Sequence, residues 1–495
     1  MKEYNIPVGW KKMKLKDILK DIPVIKQTAD PELEIPDIAY DSRKVVPGGL
    51  FVAVTGYVTD GNLYIGKAFE NGAVAVVTAV EPKEDIPYVL VNSDRQALAL
   101  MGANFYGHPA DAMTIIGVTG TNGKTTSTLL LKHVLEQTRG AKVGLMGTME
   151  NMIGSESVPA QRTTPESLDL QAMFAQMRDA GCTYAIMEVS SHAIALDRVA
   201  GVRFGLAAFT NLTEDHLDFH KTMEAYCDAK GTLFARSDKH VANADDAWCS
   251  RICSHTEQEV LLTSVNTEQG LHAVDRELLS DGIRFTAVYG DQKVAVQLPI
   301  PGKFTVYNAL TVLGCAIQLG ITLEEAAQAL RTAAGVKGRV EVVPTPGKDY
   351  TVLIDYAHTP DGLENVLSSV KGFCKGRLIG VFGCGGDRDP IKRPIMGRIG
   401  VELSDIAIIT SDNPRTEEPM AIISDILKGV EGTDKIYHVI ENRPAAIRHA
   451  MDIAQKDDII VLAGKGHETY QEINGVKHHL DEREVVADYL AETRR

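Results

Sequence analysis

The chain has 495 residues, too many for one ordinary hydrophobic core, so its length predicts two to four domains. Its hydrophobic (44%) and charged (24%) fractions are those of a soluble globular protein, and no apolar run reaches the ~18 residues that would span a bilayer. A formal net charge of −15 excludes a nucleic-acid partner as the expectation, because a phosphate backbone calls for a basic surface. Small phosphorylated ligands stay open, since backbone amides, a few cations and magnesium can hold them against an acidic background.

From Met1 to about residue 110, short β-rich runs (GLFVAV, AVAVVTAV, YVLVN) mix with turn-rich segments such as Pro47-Gly48-Gly49. Near Met113 the pattern becomes strand, loop and helix. A buried strand is predicted over Met113–Val118, a leucine-rich helix over Thr125–Gln137, and strands over Lys142–Met146, Tyr184–Val189 and Phe204–Phe209. Alternating strands and helices indicate a parallel sheet covered on both faces. Residues 258–300 read as a small antiparallel insertion, followed by helices from Val306 and over Leu323–Ala334. A second α/β unit begins near Gly338, with strands at Thr351–Asp355, Leu378–Phe382, Ile406–Thr410, Ile436–Val439 and Ile459–Leu462. The expected fold is thus α/β in three domains, 1–110, 111–337 and 338–495.

The N-terminus lacks the uninterrupted apolar core and small-residue cleavage site of a secretory signal, and a cytoplasmic protein is expected. Seven scattered cysteines fit that expectation. Cys249 and Cys253 lie four apart on a predicted helix, but no second pair follows at a zinc-like spacing, so free thiols are expected.

Gly117-Val-Thr-Gly120-Thr121-Asn122-Gly123-Lys124-Thr125-Thr126 lies between an apolar strand and a leucine-rich helix. Glycines let backbone amides converge on phosphate oxygens, and the helix adds its positive N-terminal end. Lys124 suits β- and γ-phosphates, and the Thr125 hydroxyl suits magnesium. Valine at 118 departs from a strict Walker A, but lysine and two threonines at a helix start distinguish the segment from an ordinary Gly-rich turn. Such a loop serves kinases, hydrolases, motors and ligases alike. Glu188, at the end of an apolar strand, is a candidate magnesium ligand. The run Asn211-Leu-Thr-Glu-Asp-His216-Leu-Asp-Phe-His220 concentrates histidines and carboxylates after another strand, without showing which histidine matters. Lys230, read locally, is a solvated lysine on a helix.

The wording TGTNGKTT resembles the Mur ligase and folylpolyglutamate synthetase superfamily, and the resemblance to Mur ligases extends through all three sections. It implies an ATP-dependent ligase with magnesium, in which a carbamylated lysine follows the magnesium-binding histidine by about fourteen residues, as Lys230 follows His216. A carbamate would supply the hard anionic oxygens that magnesium prefers. The catalytic set so implied is Lys124, Glu188, His216 and Lys230. Asp41-Ser42-Arg-Lys-Val-Val-Pro-Gly-Gly-Leu-Phe-Val-Ala-Val-Thr-Gly56 is similar to the family's UDP-binding segment, implicating Ser42, Tyr57, Val58 and Thr59. Arg162, Thr163, Thr164, Ser190 and Arg198 match positions that hold the muramoyl-dipeptide. Asn308 matches the nucleotide-contacting asparagine, although Thr305 replaces a frequent asparagine, and Arg339, Asp355 and His358 resemble groups that fold over ATP.

Three further segments follow predicted parallel strands, so they are expected to converge on one crevice. They carry Arg388, then Asp412-Asn413-Pro414-Arg415, then Gly464 and Glu468. Arginine pairs bidentately with a carboxylate, and glutamate suits an ammonium. The DNPR wording resembles the branch of the family that adds meso-diaminopimelate to a UDP-muramoyl dipeptide through an acyl phosphate. The implied partners are therefore a UDP-sugar peptide and a diamino acid, bound by a monomer with no membrane contact. A lysine-adding ligase, a folylpolyglutamate synthetase and a non-enzymatic nucleotide switch are the alternatives.

Overall fold

The computed structural model describes residues 12–56, 59–160, 162–279 and 281–493. The chain divides into two compact units at Leu261/Leu262.

The first unit opens with a five-stranded sheet in the order Val24–Gln27, Tyr88–Val91, Ala75–Thr78, Leu50–Ala53, Ile38–Ala39. The first pair is antiparallel and the rest are parallel. Every residue of Leu50–Ala53 is buried because both faces are covered: Leu50 and Val52 join one core, Phe51 and Ala53 the other. Each such full burial of a large side chain contributes roughly 1.5–3 kcal/mol. The helix Asp94–Phe105 starts at Ser93, whose Oγ accepts the Gln96 amide at 3.3 Å.

A second, larger sheet follows. Its strands Val143–Met146, Tyr184–Glu188, Thr114–Thr119, Leu206–Phe209 and His240–Asn243 run parallel in that order. An antiparallel hairpin, Glu150–Ile153 with Glu156–Pro159, extends one edge and was not foreseen from sequence. The strand expected from Phe204 starts at Leu206, since Phe204 makes only an isolated bridge to Ser237. Leu168 and Ala175 of the helix Ser167–Asp179 pack into the core of the first sheet. A Cβ at Gly102 would already touch Leu168 at 3.4 Å, so the two helices approach closely. The N-terminal section and the larger sheet accordingly form one compact body.

In the second unit, Leu271–Leu279, Gly282–Tyr289 and Gln292–Leu298 form an antiparallel meander. The insertion expected over 258–300 is therefore present, but its first pairing, Thr263 and Ser264 with Leu271 and His272, is parallel. Helices Lys303–Gln318 and Leu323–Leu330 follow, the latter begun by a Thr322/Glu325 capping box. A six-stranded sheet completes the unit in the order Glu341–Val343, Thr351–Asp355, Ile459–Ala463, Leu378–Phe382, Ile406–Ile409, Ile436–Val439. All neighbours but the first pair are parallel. Leu378 and Phe382 enter one core while Ile379 and Val381 enter the other. No described helix is long and apolar enough to cross a membrane.

Candidate active site

In the first unit the phosphate loop joins the strand Thr114–Thr119 to the helix Lys124–Arg139. Gly120 (φ +150°) and Gly123 (φ +84°) adopt backbone that side chains resist, and a Cβ at Gly120 would sit 1.9 Å from Thr210 Oγ1. The helix has no side-chain cap at its first turn, the end of a helix at which backbone amides meet an anion. A neighbouring strand end fixes the loop. Asn211 accepts the Thr121 amide on its carbonyl (2.8 Å) and the Asn122 amide on Oδ1 (2.9 Å), while Thr210 Oγ1 donates to the Asn122 carbonyl at 2.6 Å. Lys124 Nζ reaches back to the carbonyls of Gly120 and Thr121, each at 2.8 Å. Thr126 is buried in the first helical turn.

Glu188 ends the adjacent strand and is 1% exposed. Its Oε1 accepts from Thr125 Oγ1 at 2.9 Å and from the Thr148 amide at 3.0 Å, and its Oε2 accepts from Thr148 Oγ1 at 2.9 Å. A carboxylate touching the hydroxyl of the phosphate-loop threonine is a hard-oxygen arrangement that suits magnesium. His216 lies at φ +56°, with Nε2 3.4 Å from Asp215 Oδ2 and its ring 4.6 Å from that of His192. Burial holds both imidazoles below their ordinary range. Among the described residues no three His, Cys, Asp or Glu side chains converge as a ready metal cluster, so Glu188 and His216 are not joined in one.

The local expectation of a solvated Lys230 fails. On the helix Met223–Ala235, Lys230 is 1% exposed and its Nζ donates to the Gly120 carbonyl at 2.9 Å, 110 residues away in sequence. Nζ also lies 4.6 Å from the centre of the Tyr226 ring. Burial, then the nearby Lys124 charge, pushes its ammonium well below the usual range. No carboxylate lies within ion-pair distance of it among the described residues. A lysine that easily exists as the neutral amine therefore faces the phosphate loop.

Next to Glu188, Thr164 Oγ1 donates to the Glu188 carbonyl at 2.8 Å and receives the Ser190 amide at 3.1 Å. Arg198 Nη1 donates to the Thr164 carbonyl at 3.2 Å, and Thr163 Oγ1 lies 3.1 Å from Thr148 Oγ1. Two participants, Glu166 and Arg95, carry little signal in the sequence. Glu166 pairs with Arg198 at 2.9 Å and faces Arg162 at 3.6 Å and Arg95 at 3.9 Å. Three guanidinium groups around one carboxylate leave a surplus of positive charge suited to an anionic ligand. The only sequence signal was glutamate two residues after the Arg162-Thr163-Thr164 run. Ser42 is buried in a short helical turn, and Thr59 is exposed, its carbonyl accepting the Gly56 amide at 3.1 Å. Tyr57 and Val58 lie outside the described residues.

In the second unit, Asn308 is half-buried on the helix Lys303–Gln318, where Thr305 Oγ1 donates to the Pro301 carbonyl at 2.9 Å. Arg339 lies 5.1 Å from the centre of the Tyr356 ring. Asp355 accepts the Val340 and Ala357 amides, each at 2.8 Å, so both its oxygens already hold backbone. His358 is exposed, with Nδ1 2.8 Å from the Tyr356 carbonyl.

The three later segments do converge at neighbouring strand ends of this unit. Asn413 Nδ2 donates to Glu468 Oε2 at 2.9 Å, and Arg415 Nη1 donates to the Gly386 carbonyl at 2.7 Å. Arg415 (φ +50°) also faces Glu472 through Nε at 3.5 Å, an anchor in the unforeseen hairpin Tyr470–Ile473/Val476–His479. The Pro414 carbonyl stands 2.0 Å from where a Cβ on Gly386 would lie, so the two segments pack backbone to backbone. Gly464 (φ +118°) makes room for Asp412, whose Oδ2 lies 2.7 Å from where a Cβ would be. Arg388 is exposed on the rim. Lys465, buried among Asp412, Asn413 and Glu468, was passed over because a lysine between two glycines looks like any loop lysine.

Comparison with known proteins accords with this layout. The Mur ligase family catalytic domain matches residues 34–106, the Mur ligase middle domain residues 118–316, and the Mur ligase glutamate ligase domain residues 338–466. A UDP-N-acetylmuramoyl-L-alanyl-D-glutamate–2,6-diaminopimelate ligase of Clostridium tetani is 48% identical over 97% of this chain and 100% of its own length. That of Caldanaerobacter subterraneus subsp. tengcongensis is 47% identical over 98% and 100%. A solved structure of a ligase with the same name superposes with a TM-score of 0.73 at 32% identity, covering 98% of this chain and all of the other. The ADP complex of the MurF ligase from Thermotoga maritima shares the fold, with a TM-score of 0.62 at 17% identity over 93% and 98%. The phosphate loop, the strand-end clusters and the three α/β sections are those of one lineage, and the chain belongs to the Mur ligase family.

Proposed function

We propose that this chain is an ATP-dependent, ADP-forming ligase that adds meso-2,6-diaminopimelate to the D-glutamate of UDP-N-acetylmuramoyl-L-alanyl-D-glutamate in peptidoglycan precursor synthesis. One observation carries the choice of amine. Arg415 and Glu468 lie on two strand-end loops that Asn413 joins through its hydrogen bond to Glu468, and they bring to one cluster the guanidinium and carboxylate that a diamino acid with a second carboxylate requires. The names of the relatives that match along nearly the whole chain support the same choice. Domain limits near residues 110 and 337 belong to this proposal. So does a cytoplasmic monomer, with which seven free thiols agree.

The loop from Gly120 to Gly123, with Lys124, Thr125 and Thr126, would cradle the ATP phosphates, and Thr125, Glu188 and carbamylated Lys230 would act around two magnesium ions, with His216 as a further ligand. Bound there, magnesium would supply neutralisation of charge on the transferring phosphoryl group. Lys124 stabilises the same charge as the γ-phosphoryl moves to the D-glutamate side-chain carboxylate, giving an acyl phosphate and ADP. Thr163, Thr164, Ser190 and Arg198, with Arg162 near them, orient the dipeptide, and Ser42 with residues 57–59 takes its UDP end. Asn308, Arg339, Asp355 and His358 serve the nucleotide. Arg388, Asp412 to Arg415, Gly464 and Glu468 hold the diamino acid. Its neutral amine attacks the acyl carbon, the C–N bond forms, and the tetrahedral intermediate expels phosphate and loses a proton.

Phosphate release with ATP and the UDP-muramoyl dipeptide tests the proposal directly, comparing diaminopimelate, lysine and ornithine. Release that requires both the dipeptide and diaminopimelate is expected. Preference for lysine overturns the choice of amine, and release independent of any amine overturns the ligase.

A further inference from the structure

The Lys465 side chain has no exposed surface, yet it meets three polar groups on two loops. Nζ donates to Asn413 Oδ1 at 2.9 Å and lies 3.2 Å from both Asp412 Oδ1 and Glu468 Oε2. A buried ammonium persists only where anions and acceptors compensate it. Here the compensation is reciprocal. Burial opposes the ionisation of Asp412, but Lys465 and then Arg443 outweigh it and hold that carboxyl below its ordinary range.

The consequence for Glu468 is geometric. Its Oε2 is engaged by Asn413 Nδ2 at 2.9 Å and by Lys465, whereas among the described residues no hydrogen bond or ion pair engages Oε1. The side chain is 15% exposed, so one oxygen can still meet a ligand. The loop that carries both residues is closely packed. A Cβ at Gly466 would collide with Tyr356 Cβ at 2.6 Å, and one at Gly338 with the His467 nitrogen at 2.2 Å, so the backbones are already in close contact.

We propose that Lys465 is a positioning residue that sets the amine site: it locks Asn413 to Glu468 and cancels one of two carboxylate charges, leaving Glu468 Oε1 as the single acceptor for a substrate ammonium. This rests on the chain being a diamino acid ligase. Without Lys465, Asp412 and Glu468 repel each other and the Glu468 carboxylate loses its fixed direction.

The test is a double-mutant cycle of Lys465→Met and Glu468→Gln, measuring KM for diaminopimelate, ATP and the UDP-muramoyl dipeptide by phosphate release. Each single change is expected to raise the diaminopimelate KM about tenfold or more, and the double variant to match Glu468→Gln within about twofold, because the two residues act as one unit. The other two KM values stay within about twofold of the unchanged chain. The double variant loses one charge of each sign, so it keeps the buried balance and can be compared with Glu468→Gln even where Lys465→Met does not fold. Effects that multiply in the double variant, or three KM values that rise together, overturn the proposal. An unchanged chain that releases no phosphate in response to dipeptide and diamino acid overturns both the ligase assignment and this inference, whereas normal turnover with an indifferent Lys465→Met overturns this inference alone.

Discussion

Thr125 Oγ1 donates to Glu188 Oε1 at 2.9 Å, tying the first turn of the phosphate-loop helix to the end of the adjacent strand. The hydroxyl and the carboxylate thus stand together. Glu188→Gln is expected to lower kcat on the order of 10²-fold or more by weakening charge stabilisation at the phosphoryl group. Raising magnesium should recover part of that loss. A variant with unchanged kcat at low magnesium would remove Glu188 from the mechanism.

Lys230 is buried beside the loop and, among the described residues, has no carboxylate within ion-pair distance, which disfavours its ammonium form. Lys230→Ala is expected to abolish most activity, and the unchanged chain is expected to lose activity reversibly when bicarbonate is stripped. Full activity of Lys230→Ala at low bicarbonate and low magnesium would refute carbamylation.

Arg415→Ala is expected to raise KM for diaminopimelate by roughly 10- to 100-fold, the ~1.5–3 kcal/mol of a charge-assisted hydrogen bond. The KM for ATP should move little, and Arg415→Lys should not restore binding, since lysine cannot form the planar pair. Equal losses for both substrates would count against a role in amine recognition.

Gly120→Ala tests the backbone. The added Cβ would meet Thr210 Oγ1 at 1.9 Å in a conformation, φ +150°, that side chains resist. A loss of about 2–4 kcal/mol in denaturant unfolding is expected from strain plus overpacking. Wild-type stability in the variant would mean that the loop relaxes freely.

His220 gives a pH dependence. Burial, then the neighbouring His192, pushes its imidazole down to about 4, and Nε2 lies 2.9 Å from Ser191 Oγ. Its pKa is lower folded than unfolded, so between about 4 and the ordinary histidine value near ~6.5 the unfolded chain binds more protons. Stability should therefore fall as pH drops through that window. Thermal unfolding of His220→Gln should show a shallower slope there, and an identical slope in both proteins would assign the dependence elsewhere.

What the sequence by itself determined is local. The run GTNGKTT between an apolar strand and a leucine-rich helix specifies a phosphate loop because glycine conformations and helix amides lie within a few residues of one another. Strands Thr351–Asp355 and Leu378–Phe382 were legible to the residue because burial on both faces marks them in composition, and the mostly exposed Ile436–Val439 because of its β-branched and aromatic residues. Hairpins at Glu150–Pro159 and Tyr470–His479 were not, since their half-exposed, polar strands carry little hydrophobic contrast. Tertiary structure alone decided which charges are buried and what they touch. Lys230 looks like a surface lysine until the sheet brings Gly120 to it, and Lys465 looks like a loop lysine until two strand ends enclose it with Asp412 and Glu468. The physical reason is common to both. Desolvation and pairing depend on neighbours about 50 to 110 positions away, and side-chain identity carries no record of them until the sheet order is formed.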